Sequence, residues 1–298
     1  MDDWGTTFKS FTLYHGVIVS LLLAWIGCAV AVGIAWRGTS RERALSRAWG
    51  AVILLTMTYG CAFWIVMHFR DAEMYPWKFV LPLQICDLVP FVAGLALLVR
   101  SRTLESITVF WGLGLCSQAF ATPIISVGYT HFHFWYFWIS HTYIIGTGVY
   151  LVVVREYRPT WRDYRVGVLT AIAYTTSMVP VDYFTGWNYA FVGQEDRPNT
   201  ALDYLGPWPW RLPVLGVAVC TAMLIVKGAL WLLPVPPKRH RGLPLCPRCD
   251  YDLAGQIAAW AGDRPLQGQC PECGLIFAWR EICGPHDTAA HRPGTLAP

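Results

Sequence analysis

Two residues whose side chains could act as a nucleophile and a base lie inside apolar stretches of the sequence. Cys86 follows Leu81-Pro-Leu-Gln-Ile, and His141 follows Phe137-Trp-Ile-Ser. An imidazole next to a thiol can take the thiol proton and leave a thiolate nucleophile. Cys86 and His141 would therefore form a catalytic pair if the fold holds them together.

The two residues have the same predicted depth if each stretch is a membrane-spanning helix. With spans at 78–99 and 132–154, Cys86 lies about 12 Å and His141 about 13–14 Å from the start of its helix. Both helices enter from the same face, so both side chains are expected in the outer half of the bilayer. The alternative is structural, because a membrane cysteine is often a small packing residue and a membrane histidine is often only hydrogen-bonded.

Further polar side chains gather toward the same face of the predicted bundle. Polar and ionisable groups are costly inside a membrane and therefore indicate function. Trp208 and Trp210 are typical of interface anchors, and Arg211 would hold a lipid phosphate or pair with an aspartate. The supporting residues of the candidate site are Gln84, Asp87, Ser140, Asp182, Asn188, Trp208, Trp210 and Arg211.

Four cysteines near the C-terminus have the spacing of a metal site. The pairs Cys246-Pro-Arg-Cys249 and Cys270-Pro-Glu-Cys273 are separated by twenty residues. Two such pairs supply four thiolates in a tetrahedron, which indicates a structural Zn²⁺ site in a zinc ribbon. Two disulfides are the alternative, and a reducing cytosol disfavours them. The predicted division of the chain is a membrane domain at 1–233, a linker at 234–245, the ribbon at 246–283 and a disordered tail at 284–298.

The composition of the chain is that of a membrane protein. Hydrophobic residues make up 55% of the 298 residues and charged residues only 14%, whereas a soluble domain carries about 25% charged residues. Disordered proteins and coiled coils are excluded, because they need abundant charge or sustained heptads. A net charge of +4 is too small to indicate a nucleic-acid partner.

The predicted fold class is all-α, a bundle of seven transmembrane helices followed by the ribbon. The loops after spans one, three, five and seven hold thirteen Lys and Arg residues, and the other side holds five. The positive-inside rule then predicts an outer N-terminus and a cytoplasmic C-terminus in a bacterial inner membrane. The predicted spans are 11–36, 49–68, 78–99, 104–122, 132–154, 166–185 and 209–233.

Several segments of residues 10–233 resemble a known family. The chain looks like the bacterial YwaF-like integral membrane family, which is similar to the eukaryotic transmembrane protein 164 family. The resemblance does not cover the ribbon, and Gln84 stands where the bacterial family has a histidine. The matching segments are Leu81-Pro-Leu-Gln-Ile-Cys-Asp87, Trp111-Gly-Leu-Gly114, Ile139-Ser-His141, Asn188-Tyr189 and Leu205-Gly-Pro-Trp-Pro-Trp210.

The resemblance implies a phospholipid acyltransferase or a lipid hydrolase. Cys86 would accept the acyl group, His141 would be the base, and Gln84, Ser140 or Asn188 would donate to the oxyanion. Asp87 would help to orient the pair. The alternative function is a non-catalytic membrane sensor or transporter whose zinc ribbon binds a cytoplasmic protein. The expected partners are thus membrane lipid and, through the ribbon, a cytoplasmic protein.

Overall fold

The structure is a computed structural model that describes residues 5–193 and 206–233, and part of the C-terminal region. In that region it describes 246, 251, 253, 256, 267–272 and 274–279. The linker at 234–245, the tail at 284–298 and the cysteines Cys249 and Cys273 lie outside the described residues. The helices are α1 Leu13–Ala35, α2 Ser40–Arg70, α3 Trp77–Val80, α4 Ile85–Val99, α5 Arg102–Trp111, α6 Phe132–Val153, α7 Trp161–Thr185 and α8 Arg211–Leu232.

Among the described residues, five helical segments are long and apolar enough to cross a membrane: α1, α2, Trp77–Val99, α6 and α8. The prediction of seven spans is therefore confirmed for five of them. The predicted span at 104–122 is not one of the five, because α5 ends after ten residues. Helix α7 has 25 residues, but its Thr, Ser and Tyr side chains and Asp182 lower its hydropathy. Exposed apolar side chains on α1 and α8, such as Trp25 and Ile225, are suited to contact with lipid.

The third predicted span is not one continuous helix, which corrects the sequence-based expectation. Helix α3 ends at Val80, Leu81 and Gln84 have extended backbone, and α4 begins at Ile85. Pro82 explains the break, because proline disfavours the helical conformation in the residue before it and has no N–H to donate. Cys86 is consequently the second residue of α4 and does not lie eight residues inside a helix.

The segment after α5 is also irregular. A π-helical turn at Gly112–Cys116 and a 3-10 turn at Ser117–Phe120 follow α5 directly. A Cβ atom on Gly112 would lie 3.0 Å from Ile144 Cγ2 of α6, so the turn packs closely against that helix. π-helical turns are frequent at functional sites, and this one ends at Cys116.

Helix α6 is the central helix, and small residues bring its neighbours together. In α6, 61% of the apolar span is buried, against 17% in α1 and in α8. Helices α2 and α4 meet at Gly50 and Gly94, where a Cβ on Gly50 would lie 2.7 Å from the Gly94 carbonyl oxygen. Close backbone approach at glycines is typical of helix pairs in membranes.

Buried ion pairs join the helices at the end of the bundle that carries the basic loops, here called the inner end. Glu42 of α2 accepts hydrogen bonds from Arg100, at 2.9 Å, and from the Tyr150 hydroxyl of α6, at 2.9 Å. Arg155 donates to Glu105 of α5 at 2.8 Å. Four helices are therefore linked by charge at this end, since Arg100 immediately follows α4.

A second charged cluster at the inner end begins α7. Asp163 accepts from Arg102 at 2.7 Å and from the Ser106 hydroxyl at 3.0 Å. Asp163 and Thr160 also form a capping box, in which each side chain binds the backbone N–H of the other. The cluster fixes the start of α7 against α5.

The described C-terminal residues form a small unit with two short strands, β1 Gln267–Gln269 and β2 Ile276–Ala278, paired antiparallel. Its buried cluster contains Cys246, Leu253, Cys270, Phe277 and Trp279.

Candidate functional site

A cavity of about 620 Å³ lies among α2, α4, α6 and the turn that follows α5, and both Cys86 and His141 line it. Residues at the outer ends of helices surround it, including Trp64 near the end of α2 and His131 just before α6. Lys78 and His133 also line it. The cavity therefore opens toward the end of the bundle opposite the buried ion pairs.

His141 is held in one orientation by the backbone of its own helix. It is buried, and its Nδ1 lies 2.7 Å from the carbonyl oxygen of Phe137. A carbonyl oxygen only accepts hydrogen bonds, so Nδ1 carries the proton and Nε2 of the neutral ring has the free lone pair. Cys86 and His141 line the same cavity and are close enough to interact electrostatically. The two residues that the sequence pairs by depth thus lie in the wall of one cavity.

Cys86 lies where a helix best stabilises an anion. It is in the first turn of α4, whose N-cap residue Gln84 makes no side-chain capping bond. In the part of the chain that the structure describes, the N–H groups of Ile85 and Cys86 have no hydrogen-bond partner. The positive end of the helix dipole and free amides favour negative charge near this turn.

Asp87 also lines the cavity, but its contact is with the backbone at the start of α4. Its backbone N–H donates to the Gln84 carbonyl oxygen at 2.9 Å. The Nδ1 partner of His141 is Phe137. Asp87 thus does not hold His141 through Nδ1.

Cys116 is a neighbour of Cys86 in the cavity wall. The two Sγ atoms lie 3.9 Å apart, and both residues line the cavity. Cys116 is fully buried. Thirty residues separate the two in sequence, and an irregular π-helical turn brings them together, so no local pattern could have predicted the contact.

The predicted supporting residues divide into two groups. Gln84, Asp87 and Ser140 line the cavity with Cys86 and His141. Ser140 donates its hydroxyl to the Phe137 carbonyl at 2.9 Å. The residues of the other group are not among those lining the cavity; they are Asp182, Asn188, Trp208, Trp210 and Arg211.

The second group holds the loop after α7 against the start of α8. Asp182 accepts from the Tyr189 N–H at 2.9 Å, and Asn188 accepts from the Gly193 N–H at 3.0 Å. Arg211 donates to the Gly193 carbonyl. The aspartate, asparagine and arginine are all buried. This set, Asp182, Asn188, Tyr189, Gly193 and Arg211, is called the outer clasp below.

The tryptophans of this group have different surroundings. Trp208 donates from its indole to the Val192 carbonyl at 3.1 Å, whereas Trp210 is 74% exposed. The exposure of Trp210 agrees with the role of an interface anchor.

Helix α7 and the outer clasp support the segment that precedes Cys86. The Tyr174 hydroxyl of α7 donates to the Leu83 carbonyl at 2.7 Å, and the Gln84 side chain donates to the Asn188 carbonyl at 3.5 Å. α7 and the outer clasp therefore support the extended segment at Leu81–Gln84. The position of the first turn of α4, which follows this segment, depends on both supports.

Only part of the predicted zinc site lies among the described residues, because Cys249 and Cys273 do not. Cys246 and Cys270 are both buried. The Cys246 N–H donates to Tyr251 at 2.8 Å, and the Cys270 N–H donates to Leu275 at 2.9 Å. Each first cysteine of a pair thus binds the carbonyl five residues on. Within the described residues, no three His, Cys, Asp or Glu side chains form a metal-binding group.

Comparison with known families identifies the membrane region. The model of the TMEM164 family matches residues 10–227. The chain belongs to the TMEM164 family. The match includes the cavity, Cys86 and His141, and it ends before the C-terminal cysteines. The chain is accordingly a multi-pass membrane protein of this family. Comparison with curated proteins gives no match, and comparison with solved structures gives none.

Proposed function

We propose that this TMEM164-family protein transfers an acyl group of a membrane lipid through a thioester on Cys86. The observation that carries the proposal is that Cys86 and His141 line one cavity, close enough to interact electrostatically. A thiol, a base with a fixed tautomer and a buried space for substrate are what covalent acyl transfer requires.

The first half of the reaction forms the acyl-enzyme. Nε2 of His141 takes the Cys86 proton, and the thiolate attacks the ester carbonyl of a lipid. The tetrahedral intermediate collapses by breaking the bond to the alcohol oxygen, which receives the proton from His141. In the second half, His141 deprotonates an acceptor hydroxyl, which attacks the thioester and releases the Cys86 thiolate. Water as acceptor makes the protein a hydrolase, and a lipid hydroxyl makes it an acyltransferase.

Backbone amides at the start of α4 supply the oxyanion contact in this mechanism. The side chains proposed from the sequence have other partners: Ser140 donates to Phe137, and Gln84 donates to Asn188. The N–H groups of Ile85 and Cys86 are unpartnered within the described chain and lie beside the nucleophile. Oriented amides of this kind stabilise developing charge without reorganisation.

The cavity suits the ester region of a phospholipid and one acyl chain. Its volume of about 620 Å³ falls in the range of ligand pockets, roughly 300–1,000 Å³. Apolar residues such as Leu115 and Phe137 line it, while Lys78, His131 and His133 supply cationic or polar groups. An apolar interior with basic groups toward its outer end matches the two ends of a phospholipid.

The proposed location is the bacterial inner membrane with the C-terminal unit in the cytoplasm. The basic loops that predict this orientation lie at the inner end, opposite the cavity. Arg162, at the start of α7, lies 3.9 Å from Glu272 of the C-terminal unit, so that unit is at the same end. The cavity then faces the outer leaflet.

The C-terminal unit is proposed to be a structural zinc ribbon that binds one Zn²⁺ through Cys246, Cys249, Cys270 and Cys273. The matched N–H contacts of Cys246 and Cys270 support two equivalent turns, and Gly274 has the positive φ of 71° that a tight turn after the second pair requires. Four thiolates leave no open position, so the ion would stabilise the fold. The ribbon would offer a surface to a cytoplasmic protein.

The deciding experiment is to trap the thioester. The full chain in lipid is incubated with labelled phospholipid, and acyl groups are mapped by mass spectrometry. We expect a hydroxylamine-sensitive acyl group on Cys86 that is absent in Cys86→Ser and strongly reduced in His141→Ala. Cys61→Ser is the matched control, because Cys61 lines the same cavity. Folded wild-type protein without acylation across a broad lipid panel would reject the proposal and favour a non-catalytic sensor or transporter.

A further inference from the structure

The short distance between Cys86 and Cys116 has no role in the acyl-transfer mechanism. Their Sγ atoms are 3.9 Å apart, and both cysteines are reduced. A disulfide bond needs a separation of about 2.05 Å, so the sulfur atoms must approach by about 2 Å. Both residues lie next to helix interruptions, Cys86 after the break at Leu81–Gln84 and Cys116 at the end of a π-helical turn. The backbone at both positions is therefore not constrained by a continuous helix.

We propose that Cys86 and Cys116 form a reversible disulfide that switches the site off. The inference rests on the proposed function in one respect, namely that the oxidised thiol is the acyl-accepting one. Cys116 acts as the resolving thiol. A sulfur that is bonded to Cys116 cannot attack an ester, so the oxidised protein forms no thioester.

The two thiols differ in solvent exposure, and this difference decides which of them reacts with the oxidant first. Cys86 is only half-buried, whereas Cys116 is 1% exposed. An external disulfide oxidant therefore meets Cys86 first. The Cys86 thiolate attacks one sulfur of the oxidant, a mixed disulfide forms, and one thiol of the oxidant leaves.

The second step takes place between the two cysteines of the chain and forms the Cys86–Cys116 disulfide. The Cys116 thiolate attacks the Cys86 sulfur of the mixed disulfide, and the second thiol of the oxidant leaves with the proton that Cys116 lost. Two cysteine thiols are oxidised, and one oxidant disulfide is reduced to two thiols. The proposed orientation places the pair at the oxidising side of the membrane, where such oxidants occur.

The disulfide would protect the nucleophile. An exposed thiolate is the form that is oxidised irreversibly to sulfinic and sulfonic acids. When a peroxide oxidises the Cys86 thiolate to sulfenic acid and is itself reduced to an alcohol or water, the Cys116 thiol attacks that sulfur, water leaves and the disulfide forms before sulfinic acid does. A reductant then restores the thiol pair and with it the acyl-transfer activity.

The experiment uses the full chain in lipid, treated with oxidised glutathione and then digested after alkylation of free thiols. We expect a peptide pair linked through Cys86 and Cys116 that dithiothreitol removes, together with at least a tenfold loss of acyl transfer that dithiothreitol reverses. In Cys116→Ala the expected product is glutathione bound to Cys86, without an internal disulfide. Cys116→Ser, closer in shape, gives the same outcome if the alanine variant unfolds. Cys61→Ser should link Cys86 to Cys116 as the wild type does.

Two results would overturn the inference. One is a wild-type protein in which glutathione stays on Cys86 and no internal disulfide forms. The other is a disulfide between Cys86 and Cys61. Since the disulfide is mapped without any turnover, its absence is distinct from a failure of the proposed acyl transfer, which the thioester experiment measures independently.

Discussion

The Nδ1 atom of His141 lies 2.7 Å from the carbonyl oxygen of Phe137, one helical turn earlier. Catalytic histidines in many hydrolases are oriented by a carboxylate, but here the partner is a backbone atom of the same helix. The tautomer is therefore set by α6 itself. Ring orientation then depends on helix geometry and not on a second charged side chain, which fits a site inside a membrane, where an additional charge is costly.

Replacement of His141 is expected to abolish base catalysis without disturbing the bundle. His141→Gln should slow acylation of Cys86 by about 10²–10⁴-fold, the usual contribution of a positioned general base. Ser140→Ala is the matched control, because Phe137 holds Nδ1 without it, and we expect less than about a threefold change. Rates of thioester formation measure both variants. Equal losses in both would contradict the role of Phe137.

An aspartate at the N-cap position of α4 is expected to slow the acylation of Cys86. In Gln84→Asp the carboxylate would accept an N–H of the first turn, as aspartate does at N-cap positions, and would place negative charge beside the thiolate. We expect acylation to slow by about 10²-fold, similar to the loss of an oxyanion donor, and Cys86 alkylation by iodoacetamide to slow as well.

Gln84→Met serves as the control for this prediction, because it removes the contact with Asn188 and adds neither a cap nor a charge. If Gln84→Met loses as much activity as Gln84→Asp, support of the extended segment is the dominant role of Gln84, and the amide hypothesis is wrong.

The contact of α2 with α4 is expected to be sensitive to any added side chain. A Cβ on Gly50 would lie 2.7 Å from the Gly94 carbonyl oxygen, which a backbone atom cannot avoid without moving the helices. Gly50→Val should destabilise the protein by about 1–3 kcal/mol, seen as a lower Tm in detergent. Gly216→Ala on α8 is the control, since nothing lies within 4 Å of its Cβ position, and its Tm should stay equal or rise.

Asp163 is expected to make the protein sensitive to acid. Burial acts to raise the pKa of Asp163, but the hydrogen bonds and charge of Arg102, with the Thr160 contacts, outweigh it and leave the pKa below its ordinary value of 3.8. A lowered carboxylate pKa adds stability that is fully present above the unfolded-state pKa and is lost as the pH falls toward the folded-state pKa. Asp163→Asn should therefore reduce Tm at pH 7, with a smaller reduction below about pH 4. A difference in Tm that does not change with pH would contradict the prediction.

The C-terminal cysteines are expected to bind one zinc ion per chain. Elemental analysis of purified protein should give a zinc-to-protein ratio near one, and Cys246→Ser or Cys270→Ser should lower it to near zero. The Tm of the membrane region should change little, because the buried cluster around these cysteines is separate from the helix bundle. A full zinc content in both variants would exclude this site.

The sequence predicts the five membrane-crossing segments found among the described residues, because long apolar runs leave few alternatives in a membrane. It also places Cys86 and His141 at one depth by an argument from continuous helices, and in the structure both line the cavity; their catalytic pairing stays a prediction. The break before α4 changes the local geometry of Cys86 from mid-helix to helix start. Pro82 contains the signal for that break, since proline restricts the residue before it.

Other features depend on tertiary contacts that no local pattern reveals. Arg100 and Arg155 mark the orientation of the chain in the sequence, but in the structure they bind buried Glu42 and Glu105. The resemblance predicts that Asn188 donates to the oxyanion. In the structure its side chain accepts a hydrogen bond from the Gly193 N–H and supports the loop after α7. Whether a polar side chain faces a cavity or another segment is decided by packing across more than a hundred residues.

The buried ion pairs of the inner end have a mechanical consequence. A helix of 23 residues such as α1 is about 35 Å long, so a tilt of about 5° pivoted at one end displaces the other end by about 3 Å. Buried ion pairs join α2, α4, α5 and α6 at the inner end, and Cys86 lies toward the opposite end. A tilt of these helices about their inner ends would therefore separate their outer ends, beside the cavity, more than their inner ends.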